Sequence, residues 1–371
     1  MRIIYISQVA TSARYLRRYR KMSEYVEESI LYAFERDYYN SSEKGLRVES
    51  LGKVESEKYF NRLFKFPRAI NKIRKEIKTD DILYAYGLDT LYIAYRASRG
   101  KKVKIVYEVG DIRKVFAHNN FKGKLFRLLE KHYLNKIDAL VITSPKFLTD
   151  YFVKIQNYNR NNVFLIENKP DILNSEFSVQ DIELNNDDKI VIGYFGRIRC
   201  ERSLEILTGL IEEDKRFTLK IHGEIPDSYI KKYNLSTNEN IELGTSYESY
   251  KDLPKLYSNV DISWIAPPYY GKIVNNQNWA IATRFYEGLY FKKAMIDRMD
   301  SATTEFINRY KIGITIDLSD INESIKVLKN LDKESIKNMV NNCTNIEESN
   351  YKYVNEHLNL YNHLKTDNKK D

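Results

Sequence analysis

The amino-acid sequence predicts two doubly wound α/β domains joined by a linker. Short β-branched and aromatic runs alternate with longer helix-like stretches, and the series occurs twice within 371 residues, a length that suits two domains of ordinary size. Most of the strand-like runs are continuously apolar, which is typical of parallel strands covered by helices on both faces. The polar, aperiodic stretch 171–189 between the two series is predicted to be the linker.

Six strands are predicted in each half of the chain. In the first half they are 2–7, 47–52, 81–87, 104–110, 138–144 and 163–168. In the second half they are 189–196, 217–223, 241–244, 261–267, 294–297 and 312–317. We therefore expect an N-terminal domain over 1–172, a C-terminal domain over 189–345, and a C-terminal helix within 346–371 that packs back toward the N-terminal domain.

The composition limits the class of protein and of partner. Hydrophobic residues make up 43% and charged residues 30%, as in a globular protein, and no apolar run approaches the roughly 18 residues of a membrane span. We expect neither a signal peptide nor, with only Cys200 and Cys343, a disulfide framework, so the cytoplasm is the expected setting. No CxxC pair or histidine cluster indicates a metal site. The net charge of +9 favours an anionic partner: nucleic acid, a phosphate-bearing ligand or the inner face of a membrane.

The stretch FGRIRCERS (195–203) indicates an anion site at the end of a strand. Gly196 allows a tight turn, and a helix predicted to start near Ser203 offers unpaired N–H groups and the positive end of its dipole. Arg197 and Arg202 flank that helix start, an arrangement suited to a diphosphate. The alternative is a glycine turn beside two solvated surface arginines.

A second stretch places one carboxylate in an apolar helix, predicted over about 283–291. Glu287 lies there among aromatic and aliphatic residues, where an unpartnered carboxylate is costly. It is positioned to accept hydrogen bonds from a pair of sugar hydroxyls. The alternative is a salt bridge to Arg284, three residues earlier.

Taken together, the two stretches resemble the C-terminal domain of GT-B glycosyltransferases, specifically glycosyltransferase family 4 and its polysaccharide-assembling group 1 members. GRIRCERS (196–203) is similar to the family's G-R-x-x-x-E-K-G loop, with Arg202 in place of the lysine. RFYEGLYFKKAMI (284–296) resembles the K-x-x-E-x-x-x-x-G-K-P-V-I stretch, with Glu287 on the glutamate that holds the nucleotide ribose. VYEVGDIRK (106–114) resembles a variant in which an aspartate, here Asp111, follows the fourth strand.

The resemblance implies two Rossmann-like domains facing a cleft, the GT-B architecture. It also implies transfer of a sugar from a nucleotide-diphosphate sugar to a hydroxyl acceptor, with retention of configuration, in surface polysaccharide or lipid-linked glycan assembly. No metal or other cofactor is expected, because the arginines and the helix start would stabilise the charge left on the β-phosphate. The candidate residues are Arg197, Arg202 and Asp111 for catalysis, Gly196, Glu287, Arg284 and Asn278 for the donor, and His118 and Arg14 for the acceptor.

Several positions depart from the family pattern or carry a second interpretation. Trp279 stands where the family has the first of two glutamates, which shifts the expected donor-sugar contacts to Asn275, Asn276 or Asn278. The G-K-P triplet of the family is replaced by Lys292, Lys293 and Ala294, and its glycine-rich loop by SQVATSAR (7–14). The sequence therefore leaves open which sugar is transferred and whether the chain is active. Asp111 is alternatively a helix N-cap, and His118 is alternatively an ordinary loop residue.

Near the N-terminus, Ser12 is predicted to cap a helix with one cationic face and one apolar face. The cationic face holds Arg14, Arg17, Arg18 and Lys21, and the apolar face holds Tyr15, Tyr19, Met22 and Val26. One interpretation of the cationic face is a binding patch for anionic lipid or for a lipid diphosphate acceptor. The other, which is preferred, is a solvated surface.

Three other functions remain alternatives to sugar transfer. One is a nucleotide-sugar epimerase on the same two-domain frame. Another is a nucleic-acid-binding protein, which only the net charge favours. Aromatic and basic residues are not interleaved as they are in single-strand binders, so we expect no nucleic-acid partner. The third is an inactive relative that serves as a partner subunit. The expected location is cytoplasmic, with peripheral contact to the inner membrane face.

Overall fold

The chain forms two compact units in a computed structural model. The structure describes residues 1–10, 12–35, 46–54, 64–170, 189–247, 251–271 and 275–366. The first unit contains Met1–Glu167 together with Val354–Asp371, and the second contains Asn168–Tyr353. The predicted linker, apart from Lys189, lies outside the described residues.

Seven parallel strands form the sheet of the first unit. They are β1 (Arg2–Ser7), β2 (Glu28–Glu35), β3 (Val48–Lys53), β4 (Ile82–Tyr86), β5 (Lys104–Val109), β6 (Ala139–Ile142) and β7 (Val163–Leu165). Their order in the sheet is β3-β2-β1-β4-β5-β6-β7. The helices are α1 (Ala13–Ser23), α2 (Phe66–Glu76), α3 (Leu88–Ser98), α4 (Lys114–Ala117) and α5 (Phe121–Leu134), followed by a π-helix at Phe147–Val153.

Strand β2 (Glu28–Glu35) was not predicted from the sequence. The apolar spacing through Val26 indicated a longer first helix, whereas the helix ends at Ser23, whose hydroxyl donates to the carbonyl oxygen of Tyr19 at 2.6 Å. The chain then turns directly into Glu28–Glu35, which pairs with β1 and β3. Because helix and strand follow each other with no proline or glycine between them, the usual sequence markers of a boundary are absent.

Six parallel strands form the sheet of the second unit. They are β8 (Ile190–Arg197), β9 (Phe217–Glu224), β10 (Ile241–Gly244), β11 (Ile262–Trp264), β12 (Ala294–Arg298) and β13 (Gly313–Ile316). Their order is β10-β9-β8-β11-β12-β13. The helices are α6 (Glu201–Glu213), α7 (Asp227–Lys232), α8 (Leu253–Ser258), α9 (Asn276–Trp279), α10 (Thr283–Tyr290), α11 (Thr304–Tyr310), α12 (Ile321–Lys329) and α13 (Lys333–Thr344), with a 3₁₀ turn at Glu348–Asn350.

The last helix, α14 (Glu356–Lys365), belongs to the first unit. His357 on this helix lies 2.7 Å from a guanidinium nitrogen of Arg18 on α1. Lys104 at the start of β5 donates to the carbonyl oxygens of Leu364 and Thr366 at 2.6 and 2.7 Å. Polar contacts therefore attach the end of the chain to both α1 and the first sheet.

Both sheets have the doubly wound order, so the predicted fold class is confirmed. In each sheet the order reverses beside the first strand of the unit: between β1 and β4, and between β8 and β11. Ligands of such folds bind outside the carboxyl ends of the strands at this point. None of the helices in the described ranges is long and apolar enough to cross a bilayer.

Candidate functional site

Two glycines bring the carboxyl ends of β8 and β9 against each other. Gly196 and Gly223 are register partners, with φ of +102° and +137°. A Cβ at Gly223 would overlap the carbonyl oxygen of Gly196, so any side chain there would push the strand ends apart. Gly196, the last residue but one of β8, thus has a backbone conformation that favours glycine.

The two predicted arginines lie at this strand end, and each is paired with a glutamate. Arg197 donates through Nε to Glu224, its register partner on β9, and both side chains are largely exposed. Arg202 lies in the first turn of α6 and its Nη1 is 3.1 Å from Oε2 of Glu205. Exposed ion pairs contribute about 0–1 kcal/mol, so an arriving diphosphate can replace these glutamates at little cost.

The N-terminus of α6 is organised by Cys200. Its sulfur accepts from the backbone N–H groups of Ser203 and Tyr269, each at 3.4 Å, and the side chain is 1% exposed. The helix begins at Glu201, two residues before the predicted start. The thiol therefore fixes the helix start, and its burial does not suit a nucleophile.

Glu287 is buried in α10, as predicted, and contacts a tyrosine. The residue is 5% exposed, and its carboxylate accepts from the hydroxyl of Tyr257 at 3.0 Å. Burial, and next the charge of Glu287, raise the pKa of Tyr257 well above its ordinary value, which keeps the phenol protonated as a donor. The Tyr257 ring packs edge-to-face on Phe195 at 5.1 Å, so the Glu287 pair adjoins the end of β8.

Arg284 fixes the same strand end from α10. Its guanidinium donates to the carbonyl oxygen of Phe195 at 3.2 Å and approaches that of Ala266, after β11, at 3.5 Å. It also lies over the ring of Tyr194 at 4.9 Å. Arg284 therefore joins the two strands that flank the reversal point of the second sheet.

Asn278 is used in local structure. Its side-chain oxygen accepts from the backbone N–H of Asn275, completing a capping box on α9, and its amide nitrogen donates to Asp300 at 2.8 Å. Trp279, at the position of the missing family glutamate, is 7% exposed. A donor contact from Asn278 would have to compete with both hydrogen bonds.

A cavity of about 620 Å³ opens at the carboxyl ends of β8, β9 and β10, within the range of ligand pockets. Its lining includes Arg197, Arg199, Glu224, Leu243, Thr245 and Ser246. The predicted site residues do not include Arg199, Glu224 or Tyr257. Glu224 was detectable, because it follows Gly223 as the last residue of β9, whereas Tyr257 on α8 reaches Glu287 on α10 only through tertiary packing.

In the first unit, Arg14 and Asp111 come together in a second cavity, of about 270 Å³. Arg14 Nη1 lies 3.0 Å from Oδ2 of Asp111 and 3.1 Å from the carbonyl oxygen of Gly110. Burial lowers the pKa of Arg14, but the charge of Asp111 and the contact with Tyr15 raise it more, so the guanidinium stays charged. The N-cap of α4 is Arg113, so the alternative interpretation of Asp111 as that cap is wrong.

His118 is exposed at the end of α4 and is not among the residues that line this cavity. Its carbonyl oxygen accepts from Arg127 at 2.7 Å. Within the described residues, this hydrogen bond of His118 is made by its backbone and not by its imidazole. A role for its imidazole in acceptor binding stays a prediction.

The preferred interpretation of the α1 cationic face as solvated is wrong for two of its four residues. Arg17 and Arg18 are 9% and 2% exposed. Arg18 donates to Glu108 at 3.0 Å and to the carbonyl oxygen of Ile166 at 2.7 Å, and Tyr84 donates to the same carboxylate at 2.6 Å. These arginines are also withdrawn from any lipid patch. Charge spacing alone did not reveal that this part of α1 packs over the buried carboxylate of Glu108.

Among the described residues, no group of three or more His, Cys, Asp or Glu side chains could hold a metal ion.

Comparison with known proteins gives relatives of the same architecture. No family model matches the chain. Its sequence is 24% identical over 298 residues to succinoglycan biosynthesis protein ExoL of Rhizobium meliloti (strain 1021), covering 76% of this chain and 73% of that protein. HepE of Anabaena, solved with UDP, superposes with a TM-score of 0.67 at 13% identity over 98% of this chain and 99% of that one.

Two further solved structures are similar over nearly the whole chain. Sucrose-phosphate synthase of Thermosynechococcus elongatus has a TM-score of 0.69 at 12% identity, covering 98% of each chain. WaaG, a glycosyltransferase involved in lipopolysaccharide biosynthesis, has a TM-score of 0.63 at 12% identity, covering 98% of this chain and 99% of that one. The chain therefore has the GT-B glycosyltransferase fold, which confirms the resemblance found in the sequence at the level of fold.

Proposed function

We propose that the protein is a glycosyltransferase that moves a sugar from a nucleoside-diphosphate sugar to a hydroxyl acceptor in polysaccharide assembly. The observation that carries the proposal is the carboxyl edge of the second sheet. The Gly196 turn, Arg197 and the N-terminus of α6 lie at this edge. The buried carboxylate of Glu287 is linked to the same strand end through Tyr257, whose ring packs on Phe195. HepE solved with UDP-glucose and the succinoglycan role of ExoL support it.

The donor contacts follow from the charges of these groups. Cleavage of the sugar–phosphate bond leaves negative charge on the β-phosphate, which Arg197, Arg202 and the amides of α6 stabilise. Glu287 accepts from the ribose hydroxyls, and Arg284 holds the strand end through the Phe195 carbonyl. These cationic groups supply the stabilisation that a metal would otherwise supply, so we propose metal-independent transfer.

The acceptor contacts are assigned to the first unit. Asp111 accepts from the acceptor hydroxyl, and Arg14 Nη1 positions that carboxylate at 3.0 Å. The proposed reaction retains the configuration of the sugar. The acceptor class is a glycan or a lipid-linked glycan at the inner membrane face, and the net charge of +9 favours peripheral contact with anionic lipid.

The test combines nucleotide binding with turnover. A thermal-shift panel of UDP, GDP and ADP identifies the base, because the nucleotide that binds the native state raises Tm most. Arg197→Ala and Arg202→Ala are expected to lower turnover at least about tenfold while Tm changes little, since both side chains are half exposed. Arg309→Ala, which removes another exposed helix ion pair, serves as the matched control and keeps its rate.

Three outcomes would contradict the proposal. Wild-type turnover in both site variants would remove the arginines from the reaction. An epimer formed from the donor without acceptor would favour the epimerase. Loss of turnover on addition of EDTA would refute metal independence.

A further inference from the structure

One helix of the first unit exposes an unusual amount of apolar surface. Among the described residues, α5 carries a group of large apolar side chains with high exposure: Phe121 80%, Leu125 56%, Phe126 41%, Leu128 66% and Leu129 42%. Single exposed apolar residues are common on proteins, but adjacent ones mark an interaction surface. All five lie on one 14-residue helix, spaced one to four residues apart.

The spacing shows that this apolar surface is the outward face of the helix. Phe121, Leu125 and Leu128 recur at intervals of four and three and so lie on one side. The residues buried in the unit are Gly123, Glu130, Tyr133 and Leu134, on the opposite side. The helix therefore packs on the unit with one face and exposes apolar side chains on the other.

The contacts of the buried face prevent the helix from rolling inward. A Cβ at Gly123 would overlap the carbonyl oxygen of His118, so the backbone there approaches the preceding loop as closely as glycine allows. Near the other end, the buried carboxylate of Glu130 accepts from the hydroxyls of Tyr107, at 2.7 Å, and Tyr151. Rotation that buried the leucines would break both contacts, so the apolar face is outward by construction.

The charges around this face are all positive. The exposed Lys122, Lys124 and Lys131 flank the apolar residues, while Arg127 donates to the carbonyl oxygens of Phe116 and His118. The one carboxylate of the helix, Glu130, is buried on the other side. A helix with an apolar face bordered by lysine and arginine binds in the plane of a membrane interface, and anionic lipids add about 1 kcal/mol for each basic residue near the surface. A protein partner would not require cations on every exposed flank.

A groove beside the helix extends the same surface. It has a volume of about 660 Å³ between α2, α3 and α5, and its apolar lining includes Phe66, Ile70 and Tyr92 as well as Phe126 and Leu129. Three arginines also line it: Arg74, Arg96 and Arg99. Its single carboxylate, Asp89, is paired with Arg113 at 3.1 Å. The apolar and cationic character therefore continues beyond the helix.

We infer that α5 and this groove are the membrane-docking surface of the protein, with an anionic phospholipid bilayer as the occupant. The apolar face enters the boundary between headgroups and acyl chains, and the lysines and arginines contact lipid phosphates. The inference names the surface for the peripheral contact proposed above. It replaces α1 in that role, because Arg17 and Arg18 are buried.

The experiment is co-sedimentation of the full chain with vesicles of phosphatidylcholine alone, or of phosphatidylcholine and phosphatidylglycerol in equal parts. Wild type is expected to bind the anionic vesicles, and more weakly as salt is raised. Leu125→Glu with Leu128→Glu should weaken binding by at least about tenfold. Lys124→Glu with Lys131→Glu should weaken binding to the anionic vesicles by a similar factor. Met299→Glu, at an apolar residue of 56% exposure in the second unit, is the matched control and should bind as wild type.

Tm and nucleotide-induced thermal shifts of every variant separate docking from folding and from donor binding. Retained shifts with lost vesicle binding support the surface, whether or not sugar transfer is found. The inference is overturned if wild type ignores anionic vesicles, or if the leucine variant binds them as wild type does. It is also overturned if wild type is a dimer that the leucine variant dissociates without any vesicle binding, because the face would then join two copies of this chain.

Discussion

Replacing Glu287 with glutamine tests the donor site with little change in shape. The carboxylate is buried and accepts from the Tyr257 hydroxyl at 3.0 Å. Hydrogen bonds to a charged acceptor contribute about 1.5–3 kcal/mol. Glutamine keeps one acceptor oxygen but presents an NH₂ group to the second ribose hydroxyl. We therefore expect nucleoside-diphosphate affinity to fall by about 10- to 150-fold.

The free energy of unfolding of Glu287→Gln should rise or stay nearly unchanged, because the variant no longer buries a carboxylate. Isothermal titration with the nucleotide that gives the largest thermal shift measures affinity, and thermal unfolding measures stability. Tyr257→Phe removes the internal donor but no proposed ligand contact, so it should lower affinity much less than Glu287→Gln. Glu305→Gln, at an exposed glutamate of α11, is the control.

Two results would refute this reasoning. Wild-type affinity in Glu287→Gln would mean that the carboxylate does not touch the nucleotide. Equal losses in Glu287→Gln and Tyr257→Phe would mean that the pair acts by holding α8 against α10.

Two further predictions concern stability. Arg18→Met leaves the fully buried Glu108 without its cation, which should cost about 3–5 kcal/mol in denaturant unfolding of the first unit; a loss under 1 kcal/mol would contradict the buried pair. Burial lowers the pKa of Lys293 from 10.5 to about 8, although the charge of Asp261 opposes it. Lys293→Met should therefore stabilise the second unit by about 3 kcal/mol near pH 7. Because the unfolded chain binds this proton more tightly, the stability of the wild type rises between pH 8 and 10.5, and the difference in unfolding free energy between variant and wild type disappears over that range. A difference that does not depend on pH would contradict a destabilising charge on Lys293.

Much of the fold was readable from the sequence because burial of a parallel sheet imposes a local pattern. Both faces of such a strand are covered, so IVIGY and ILYAY are apolar throughout, and all six strands of the second unit were predicted. The strand Glu28–Glu35 was not predicted, because the helical spacing of apolar residues before it continues into the turn. A local pattern locates elements well only where the chain also marks their ends.

The candidate site was partly readable for a similar reason. Gly196 and Arg197 are neighbours in sequence and therefore at one strand end, and Glu287 was conspicuous as a carboxylate in an apolar helix. The partners Glu224 and Tyr257 lie 27 and 30 residues away from Arg197 and Glu287. Contacts of that separation depend on strand register and helix packing, which no short stretch encodes.

The sequence by itself determined the two doubly wound units and the residue types at the Gly196 turn, because hydrophobic period and glycine requirements act over a few neighbouring residues. Only the tertiary structure decided which charges are available to ligands. It buried Arg18 beside Glu108 and left the leucines of α5 in water. The physical reason is that the free energy of a charge or an apolar group depends on its surroundings, and those surroundings are assembled from distant parts of the chain.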